Sequence, residues 1–316
     1  MTELSPVVII AGPTASGKSA LALTVAEEFG GEIVNADSMQ VYRDLQVLTA
    51  RPDEGDLARV PHHLFGVLPA SERCSAGRWL DMAVPVLDEI RARGKLPVVC
   101  GGTGLYLKAL RDGLAPVPPV PEDLVTGVEA HFEAVGGEAF LAELAKIDPE
   151  AASRLPATDR QRLVRAAAVF AATGRTLSDW HTEQPAGPGY AARYFTLLML
   201  PPRAALYQRI EERFDAMISL GAMAEAEAFH ALGLDPSLPA SRAVGVAELL
   251  RVLNGEWDLE TAVTKAKMAS RNLAKRQFTW FRRQIHSDFV LSEKFSESQK
   301  EKIFSFIRQF LLTSSS

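Results

Sequence analysis

The sequence predicts an α/β protein with a P-loop NTPase-like, doubly wound parallel sheet, a helical insertion domain and a helical C-terminal region. An apolar run at residues 7–11 leads directly into a glycine-rich loop at 12–19 and then into a helical pattern. Two further apolar segments, 32–36 and 96–100, each end in a polar or glycine-rich turn, which repeats the βαβ rhythm of parallel sheets. The proline-rich stretch at 113–121 cannot continue a helix, and the helical patterns after it contain no convincing strand.

The glycine-rich loop fills every fixed position of the phosphate-binding pattern G-x-x-x-x-G-K-[ST]. Gly12 and Gly17 permit tight turns that point successive backbone N–H groups into one concavity, and Lys18 adds a positive charge. Ser19 adds a hydroxyl suited to Mg²⁺, the one cofactor that we expect. The loop therefore predicts a ligand with a diphosphate, bound by Gly12, Pro13, Thr14, Ala15, Ser16, Gly17, Lys18 and Ser19.

The next two predicted strands also end in turns that are rich in polar residues or glycine. Asp37-Ser38-Met39-Gln40 follows the strand at 32–36, and Gly101-Gly102-Thr103-Gly104 follows the strand at 96–100. A helix at 76–93, stopped by Gly94, is expected between them. Because the carboxyl ends of parallel strands border the ligand crevice of an open sheet, we expect both turns to meet the phosphate loop.

The same patterns predict how the chain is divided. Residues 1–115 form the first part of the P-loop core, and 116–190 form the helical insertion. Residues 191–312 complete the core with a returning strand at 194–200 and C-terminal helices, while 313–316 form a disordered tail.

Charge is distributed unevenly along this acidic chain of net charge −5. Between Glu260 and Asp288 there is no acidic residue, and seven basic ones occur. Helical spacing would put four of them on one side, where a phosphate backbone could bind; an ordinary solvated helical face is the alternative. The four are Lys267, Arg271, Lys275 and Arg282.

Composition disfavours several other classes of protein. The apolar run at 7–11 is too short to span a membrane and no basic segment precedes it, so we expect a cytoplasmic protein without membrane contact. Cys74 and Cys100 are the only cysteines, and without a C-x-x-C pair they favour reduced thiols over a disulfide framework or a zinc site. His62 and His63 have no third ligand nearby, which favours a structural or gating loop over a metal site.

Seven ordered motifs are spread over nearly the whole chain. They are the phosphate loop at 12–19, DSMQVYR at 37–43, PHHL at 61–64, GGTGLY at 101–106, QRLVR at 161–165, RAVG at 242–245 and KRQFTWFR at 275–282. In this combination they resemble the motifs of the tRNA dimethylallyltransferases, also called tRNA isopentenyltransferases. One departure is Val246: the resemblance implies an aromatic residue there in many relatives, and valine cannot make the stacking contact that such a ring would make.

The resemblance implies transfer of a dimethylallyl group from dimethylallyl diphosphate to N6 of adenine 37, next to the tRNA anticodon, to give N6-isopentenyladenosine. The adenine amine is a poor nucleophile because its lone pair is delocalised into the ring, so a base that accepts its proton would help. Asp37 is the candidate base, with a helix cap or a Mg²⁺ ligand as the alternatives. Lys18, the loop amides and Mg²⁺ suit the departing diphosphate.

The resemblance also implies roles for residues outside the phosphate loop. Thr103 contacts the reacting region, unless it only caps a helix, and would be catalytic together with Asp37 and Lys18; Arg213 is a further diphosphate ligand. The partner is the anticodon stem-loop of tRNA, contacted in part by the insertion, and we expect a monomer. Residues expected to bind tRNA are Asp37, Ser38, Met39, Gln40, Thr103, Gln161, Arg162, Leu163, Val164, Arg165, Arg242, Ala243, Val244, Gly245, Lys275, Arg276 and Arg282.

Three other functions share some of these features. An adenylate isopentenyltransferase would modify a free nucleotide, but it needs neither the helical insertion nor the basic stretch. A P-loop small-molecule kinase would use ATP at the loop, but an arginine-rich lid is not evident. An RNA-binding regulator could use the loop as a nucleotide switch, although Asp37 and Thr103 at neighbouring strand ends argue against it.

Overall fold

The computed structural model describes residues 4–313 except 184, 186 and 294. The chain divides into two compact units: the first combines the residues up to Arg111 with those from Gly189 onward, and the second is Asp112–Pro188. The predicted insertion at 116–190 begins four residues later than the second unit and ends two residues later. Residues 314–316 of the predicted tail lie outside the described residues, whereas Thr313 accepts a hydrogen bond from Arg193.

A six-stranded parallel sheet forms the centre of the first unit. Its spatial order is β3-β2-β4-β1-β5-β6. From β1 the chain passes over the position of β4 to β2 and β3, returns to β4 between β2 and β1, and continues to β5 and β6 on the other side of β1. This change of direction is typical of a doubly wound sheet, whose ligand-binding loops lie at the carboxyl ends of the strands. The strands are β1 (Pro6–Ala11), β2 (Gly31–Asn35), β3 (His62–His63), β4 (Leu96–Gly101), β5 (Arg193–Met199) and β6 (Phe289–Leu291).

Alternate residues of the central strand point into different cores, as a sheet covered on both faces requires. Val7 and Ile9 belong to one hydrophobic cluster, and Val8 and Ile10 belong to the other. The helices that flank the strands are α1 (Lys18–Phe29), α2 (Glu54–Arg59), α3 (Ala76–Ala92), α4 (Gly104–Asp112), α10 (Arg203–Ser219), α11 (Ala222–Ala231), α12 (Val246–Leu253), α13 (Leu259–Gln284) and α14 (Glu297–Leu312).

The two short edge strands, β3 and β6, were not predicted. They have two and three residues, and a pairing of that length leaves no alternation to detect. Four longer strands occur within a residue or two of their predicted positions, and the predicted helix at 76–93 is α3. The parallel α/β architecture is therefore confirmed.

The regular elements among the described residues of the second unit are all helices. Phe140, Leu144 and Leu163 are at most 3% exposed and form the centre of its own core. Asp148 joins two of its helices because its carboxylate accepts hydrogen bonds from Ala151 N and Ser178 N, at 2.9 and 3.1 Å. The helices are α5 (Glu122–Val135), α6 (Gly137–Ile147), α7 (Pro149–Arg154), α8 (Arg160–Thr173) and α9 (Leu177–Thr182).

No helix among the described residues combines the length and apolar character needed to cross a bilayer. Cys74 and Cys100 both carry free thiols, in line with the prediction. Cys100 is buried at the end of β4, where desolvation raises the pKa of its thiol to about 12.

A buried carboxylate ties the edge strand β3 to the rest of the sheet. Glu32 in β2 is only 5% exposed, and its oxygens accept hydrogen bonds from Arg93 Nη2 and His63 Nε2, both at 2.7 Å. The bond from Arg93 is the main reason why the pKa of this carboxyl lies below its usual value; desolvation opposes it, and the His63 bond adds to it. His63 thus has the structural role that was expected.

We predict that Glu32→Gln destabilises the fold by about 1–3 kcal/mol, because a buried side chain loses its charge-assisted hydrogen bonds to Arg93 and His63. Since folding lowers the pKa of Glu32, its contribution is complete above the unfolded value of 4.5 and declines as the pH falls through the folded value. Urea unfolding from pH 7 to pH 3 would measure this, with the exposed Glu227→Gln as the control. Parallel stability curves for Glu32→Gln and wild type would contradict it.

Candidate active site

The phosphate loop connects β1 to α1, and two of its residues have a positive φ. Ala15 and Gly17 have φ of +61° and +93°, a left-handed conformation that is rare for alanine. The N–H groups of both residues have no hydrogen-bond acceptor among the described residues. The amide of Ser16 between them donates to Pro13 O at 3.2 Å. Two unpaired amides at the start of a helix, where the helix dipole is positive, form an anion-binding concavity.

Side chains from two distant helices brace this loop. Gln277 in α13 accepts a hydrogen bond from Thr14 N at 2.8 Å and donates one to Gly102 O at 2.9 Å, so one amide joins the loops after β1 and β4. Arg213 in α10 donates to Thr14 Oγ1 at 2.6 Å. The amide of Thr14 is therefore occupied, which corrects the expectation that it is available to a diphosphate. Gln277 lies in a motif noted from the sequence, but its bridging role was not foreseen.

Asp37 is held at the end of β2 by a buried asparagine that sequence reasoning missed. Asn35 is 0% exposed, and its side chain accepts from Asp37 N at 2.8 Å and donates to Asp37 O at 3.1 Å and Leu64 O at 3.0 Å. Asp37 Oδ1 accepts from Met39 N at 3.0 Å, while Oδ2 has no hydrogen-bond donor among the described residues. One carboxylate oxygen is thus fixed and the other is open to a ligand.

Thr103 positions the Asp37 turn and does not cap α4 with its hydroxyl. Thr103 Oγ1 accepts from Ser38 N at 2.8 Å and donates to Ser38 Oγ at 3.1 Å. Ser38 was expected to bind tRNA, and in this structure both its amide and its hydroxyl are hydrogen-bonded to Thr103.

The three turns converge at Gly102. A methyl group added at Gly102 would lie 2.6 Å from Gln277 Nε2, 3.4 Å from Gly12 O and 3.5 Å from Asp37 Oδ2. A side chain at this position would displace the Gln277 amide, and the short distances show that the predicted meeting of the strand ends is observed.

Two cations share the electrostatic influence of Asp37. Burial is the main cause that lowers the pKa of Lys18, and the Asp37 carboxylate acts in the opposite direction. Burial likewise lowers the pKa of Arg213, again opposed by Asp37. Both charges are costly to desolvate with a single carboxylate nearby, so an added anion would stabilise them.

A cleft beside Lys18 and Ser19 extends the site. The side chain of Gln40 lies in its wall and donates through Nε2 to the carbonyls of Thr49 and Ala50, at 2.9 Å each. In the side chain of Gln40, only the oxygen Oε1 remains for a ligand. The other residues that line the cleft are Ala22, Leu23, Ile33, Ala50, Pro52, Asp56, His62, Phe65 and Cys100.

Some residues expected to contact tRNA are buried. Leu163 and Val164 are at most 4% exposed, and Leu163 packs in the core of the second unit. Ala243 is 3% exposed, and a methyl group at Gly245 would lie 2.8 Å from Leu48 Cδ2. The side chains of Leu163, Val164 and Ala243 are therefore packed against neighbouring structure and are not exposed for a contact with RNA, and Gly245 has no side chain to offer.

The basic stretch on α13 also differs in part from the prediction. Lys267 forms an ion pair with Asp215 at 2.6 Å, and Arg271 forms one with Glu211 at 2.5 Å, so both bind α10. These two charges do not belong to an RNA-facing side. The expected tRNA ligands with exposed side chains are Lys275, Arg276 and Arg282 on α13, Arg242 before α12, and Gln161, Arg162 and Arg165 on α8.

The fold and site together define a P-loop α/β protein with a concavity for a diphosphate beside a carboxylate. Models of two families match the chain: IPP transferase over residues 40–284, and isopentenyl transferase over residues 5–62. The chain belongs to the IPP transferase family.

Relatives extend the match over nearly the full length. A tRNA dimethylallyltransferase from Paramagnetospirillum magneticum is 50% identical over 314 residues, 99% of each chain. One from a Bradyrhizobium species is 53% identical over 287 residues, 90% of this chain and 93% of the relative.

Solved structures agree with the fold. The tRNA isopentenylpyrophosphate transferase from Bacillus halodurans superposes with a TM-score of 0.69 at 32% identity, over 98% of this chain and 97% of that one. A eukaryotic dimethylallyltransferase acting on tRNA superposes with a TM-score of 0.82 at 26% identity, over 97% of this chain and 79% of that one.

We predict that Gln277→Leu weakens the binding of inorganic diphosphate about tenfold, because the amide of Thr14 and the carbonyl of Gly102 lose the group that aligns both loops. Titration calorimetry would measure the affinity. The control is Gln284→Leu, an exposed glutamine at the end of the same helix. Equal affinities for the two variants would rule out an aligning role for Gln277.

Proposed function

We propose that this chain transfers the dimethylallyl group of dimethylallyl diphosphate to N6 of adenine 37 in tRNA. The observation that carries the proposal is the carboxylate of Asp37, which has one oxygen without a donor and acts electrostatically on both Lys18 and Arg213. A site with this composition can stabilise a departing diphosphate and accept a proton in one place.

The diphosphate would bind at the phosphate loop. The unpaired amides of Ala15 and Gly17 and the charges of Lys18 and Arg213 supply preorganised donors to its oxygens. As the bond between the allylic carbon and the diphosphate oxygen breaks, negative charge grows on that oxygen. Donors that are already fixed by Gln277 and the helix start need no reorganisation at that moment.

The adenine amine would attack the same allylic carbon. A new bond forms between N6 and this carbon while the carbon–oxygen bond breaks, and one N6 proton passes to Asp37 Oδ2. The adenine must be extruded from the anticodon stack, which costs a few kcal/mol. Thr103 contributes by holding Ser38, and therefore the turn that carries Asp37, in place.

Mg²⁺ fits the oxygens available at this site. Ser19 has an exposed hydroxyl in the first turn of α1, and its hydroxyl and Asp37 Oδ2 both lack a hydrogen-bond partner among the described residues. The described residues contain no group of three or more His, Cys, Asp or Glu side chains that could hold a metal, which suits an ion bound mainly by substrate phosphates. Ser19 would hold it, and when bound it would neutralise charge on the diphosphate.

Each unit has exposed basic residues that would suit phosphate contacts with tRNA. Lys275, Arg276 and Arg282 are exposed on α13, and Arg162 and Arg165 are exposed on α8. Because tRNA is the substrate, we propose a cytoplasmic enzyme, and we propose that it acts as a monomer.

Mass analysis of nucleosides tests the proposal directly. Purified protein is incubated with dimethylallyl diphosphate, Mg²⁺ and unmodified tRNA, and the tRNA is then digested. N6-isopentenyladenosine at position 37 is the expected product. Product on free AMP and none on tRNA, or phosphate transfer from labelled ATP, would replace the proposal with one of the alternative functions.

We predict that Asp37→Asn lowers the single-turnover transfer rate by about 10² to 10⁴ while tRNA affinity changes little, because asparagine has the same shape but is a far weaker base. Rapid quench measurements with saturating tRNA would show this. If the variant keeps the wild-type rate but requires much more Mg²⁺, Asp37 is a metal ligand and the assigned base is wrong.

We predict that Lys275→Ala lowers the magnitude of the log–log salt slope of tRNA binding by about one unit or less, because each phosphate contact releases about one counterion. The triple change at Lys275, Arg276 and Arg282 should lower it further. Lys95→Ala is the matched control, since this exposed lysine precedes β4 at the opposite end of the strands. A triple variant with the wild-type slope would require a different RNA surface.

A further inference from the structure

One carboxylate on α11 binds three consecutive backbone amides of a loop that follows the Asp37 turn. Glu225 Oε1 accepts hydrogen bonds from Gln46 N at 2.5 Å and Val47 N at 2.8 Å, and its Oε2 accepts one from Leu48 N at 2.8 Å. Three charge-assisted bonds to one side chain are a strong constraint on a loop that contains neither helix nor strand. The loop conformation therefore depends on a residue that is about 180 positions away in sequence.

The same loop fixes the side-chain amide of Gln40. Shortly after the three residues that bind Glu225, Ala50 N donates a hydrogen bond to Val47 O at 3.0 Å. Ala50 itself has a φ of +51°. The carbonyls of Thr49 and Ala50 are thereby aimed at Gln40 Nε2, each at 2.9 Å. Two carbonyl oxygens can accept only from the NH₂ end of the amide, so the orientation of Gln40 is determined.

Gln40 lies in the wall of the cleft with Lys18, whereas Glu225 is not among the residues that line it. With its NH₂ group occupied, Gln40 can offer only the oxygen Oε1 to a ligand. Gln40 Oε1 can accept a hydrogen bond from an amino group, whereas it repels a keto oxygen. The N6 amine of adenine has two N–H groups, so one can be directed to Asp37 and the other to Gln40.

We propose that Glu225 is a positioning residue that acts through Gln40 to make this site select a base with an exocyclic amine. The inference rests on the proposed transfer to adenine 37 and adds the element that sets its specificity. Glu225 itself contacts neither substrate.

Binding to two matched anticodon stem-loops tests the selection without any chemistry. One stem-loop carries adenosine at position 37 and the other carries purine riboside, which lacks only the 6-amino group. The adenosine form can donate one N–H to Asp37 and the other to Gln40, so wild-type protein should bind it about ten- to a hundredfold more tightly, as two hydrogen bonds predict. Glu225→Gln should lower this preference about five- to tenfold, to the part that Asp37 supplies, because its NH₂ group faces backbone N–H donors and releases the loop. Glu227→Gln, an exposed residue on the same helix, should keep it.

A double-mutant cycle distinguishes positioning from a general loss of stability. Gln40→Met removes the acceptor at similar size, so by itself it should lower the preference by the same factor of about five to ten, and adding Glu225→Gln should change the affinity ratio no further. Thermal unfolding of each variant shows that the protein is folded, and Glu225→Asp, which keeps the charge, should restore part of the preference. A preference in Glu225→Gln that equals that of the wild type, or effects that add in the double variant, would overturn the inference.

The proposed function has a separate criterion. If wild-type protein forms no N6-isopentenyladenosine at position 37, the proposed function itself fails, whatever the binding ratios are. If it forms the product and Glu225→Gln leaves both the binding preference and the transfer rate unchanged, only the role of Glu225 is refuted. A decrease of the transfer rate by about 10- to 100-fold in Glu225→Gln is expected, because a small displacement of the base from the reacting carbon is costly.

Discussion

The burial of the Asn35 amide is the constraint on which the rest of the site depends. A side-chain amide with no exposed surface is tolerated only if its donors and its acceptor are bonded, and Asn35 meets this through Asp37 and Leu64. These bonds turn the chain sharply after β2 and direct the Asp37 carboxylate toward the phosphate loop. They also hold Leu64 at φ of +63°, a backbone conformation that needs such support.

The phosphate loop is held in its conformation by residues from the C-terminal half of the chain. The phosphate loop occupies residues 12–19, yet its bracing contacts come from Arg209, Arg213 and Gln277. The conformation that receives a diphosphate is therefore a property of how α10 and α13 pack, and the loop sequence alone does not determine it. The ion pairs of Lys267 and Arg271 with α10 belong to the same packing, because they join the two bracing helices.

Sequence reasoning was reliable where chain geometry leaves little choice and weaker where packing decides. Asp37 and Thr103 follow strands of a parallel sheet, so their meeting at one edge could be foreseen, although the hydroxyl of Thr103 binds Ser38. Gln277 could not be assigned because its partners depend on the rotation of a 26-residue helix. Leu163 shows the opposite error: a motif on a helix contains core residues as well as exposed ones, and spacing alone does not tell which side faces solvent.

The two ends of the second unit lie close together, so its length can vary among members of the family. A methyl group at Gly113, where φ is +81°, would lie 2.2 Å from Gly187 O, so the chain enters and leaves this unit at nearly the same point. An internal segment with adjacent ends imposes a small closure entropy on the remainder, and this entropy grows only slowly with segment length. Evolution can therefore enlarge, shrink or exchange the segment as a module, while selection on catalysis acts on a sheet that is unaffected.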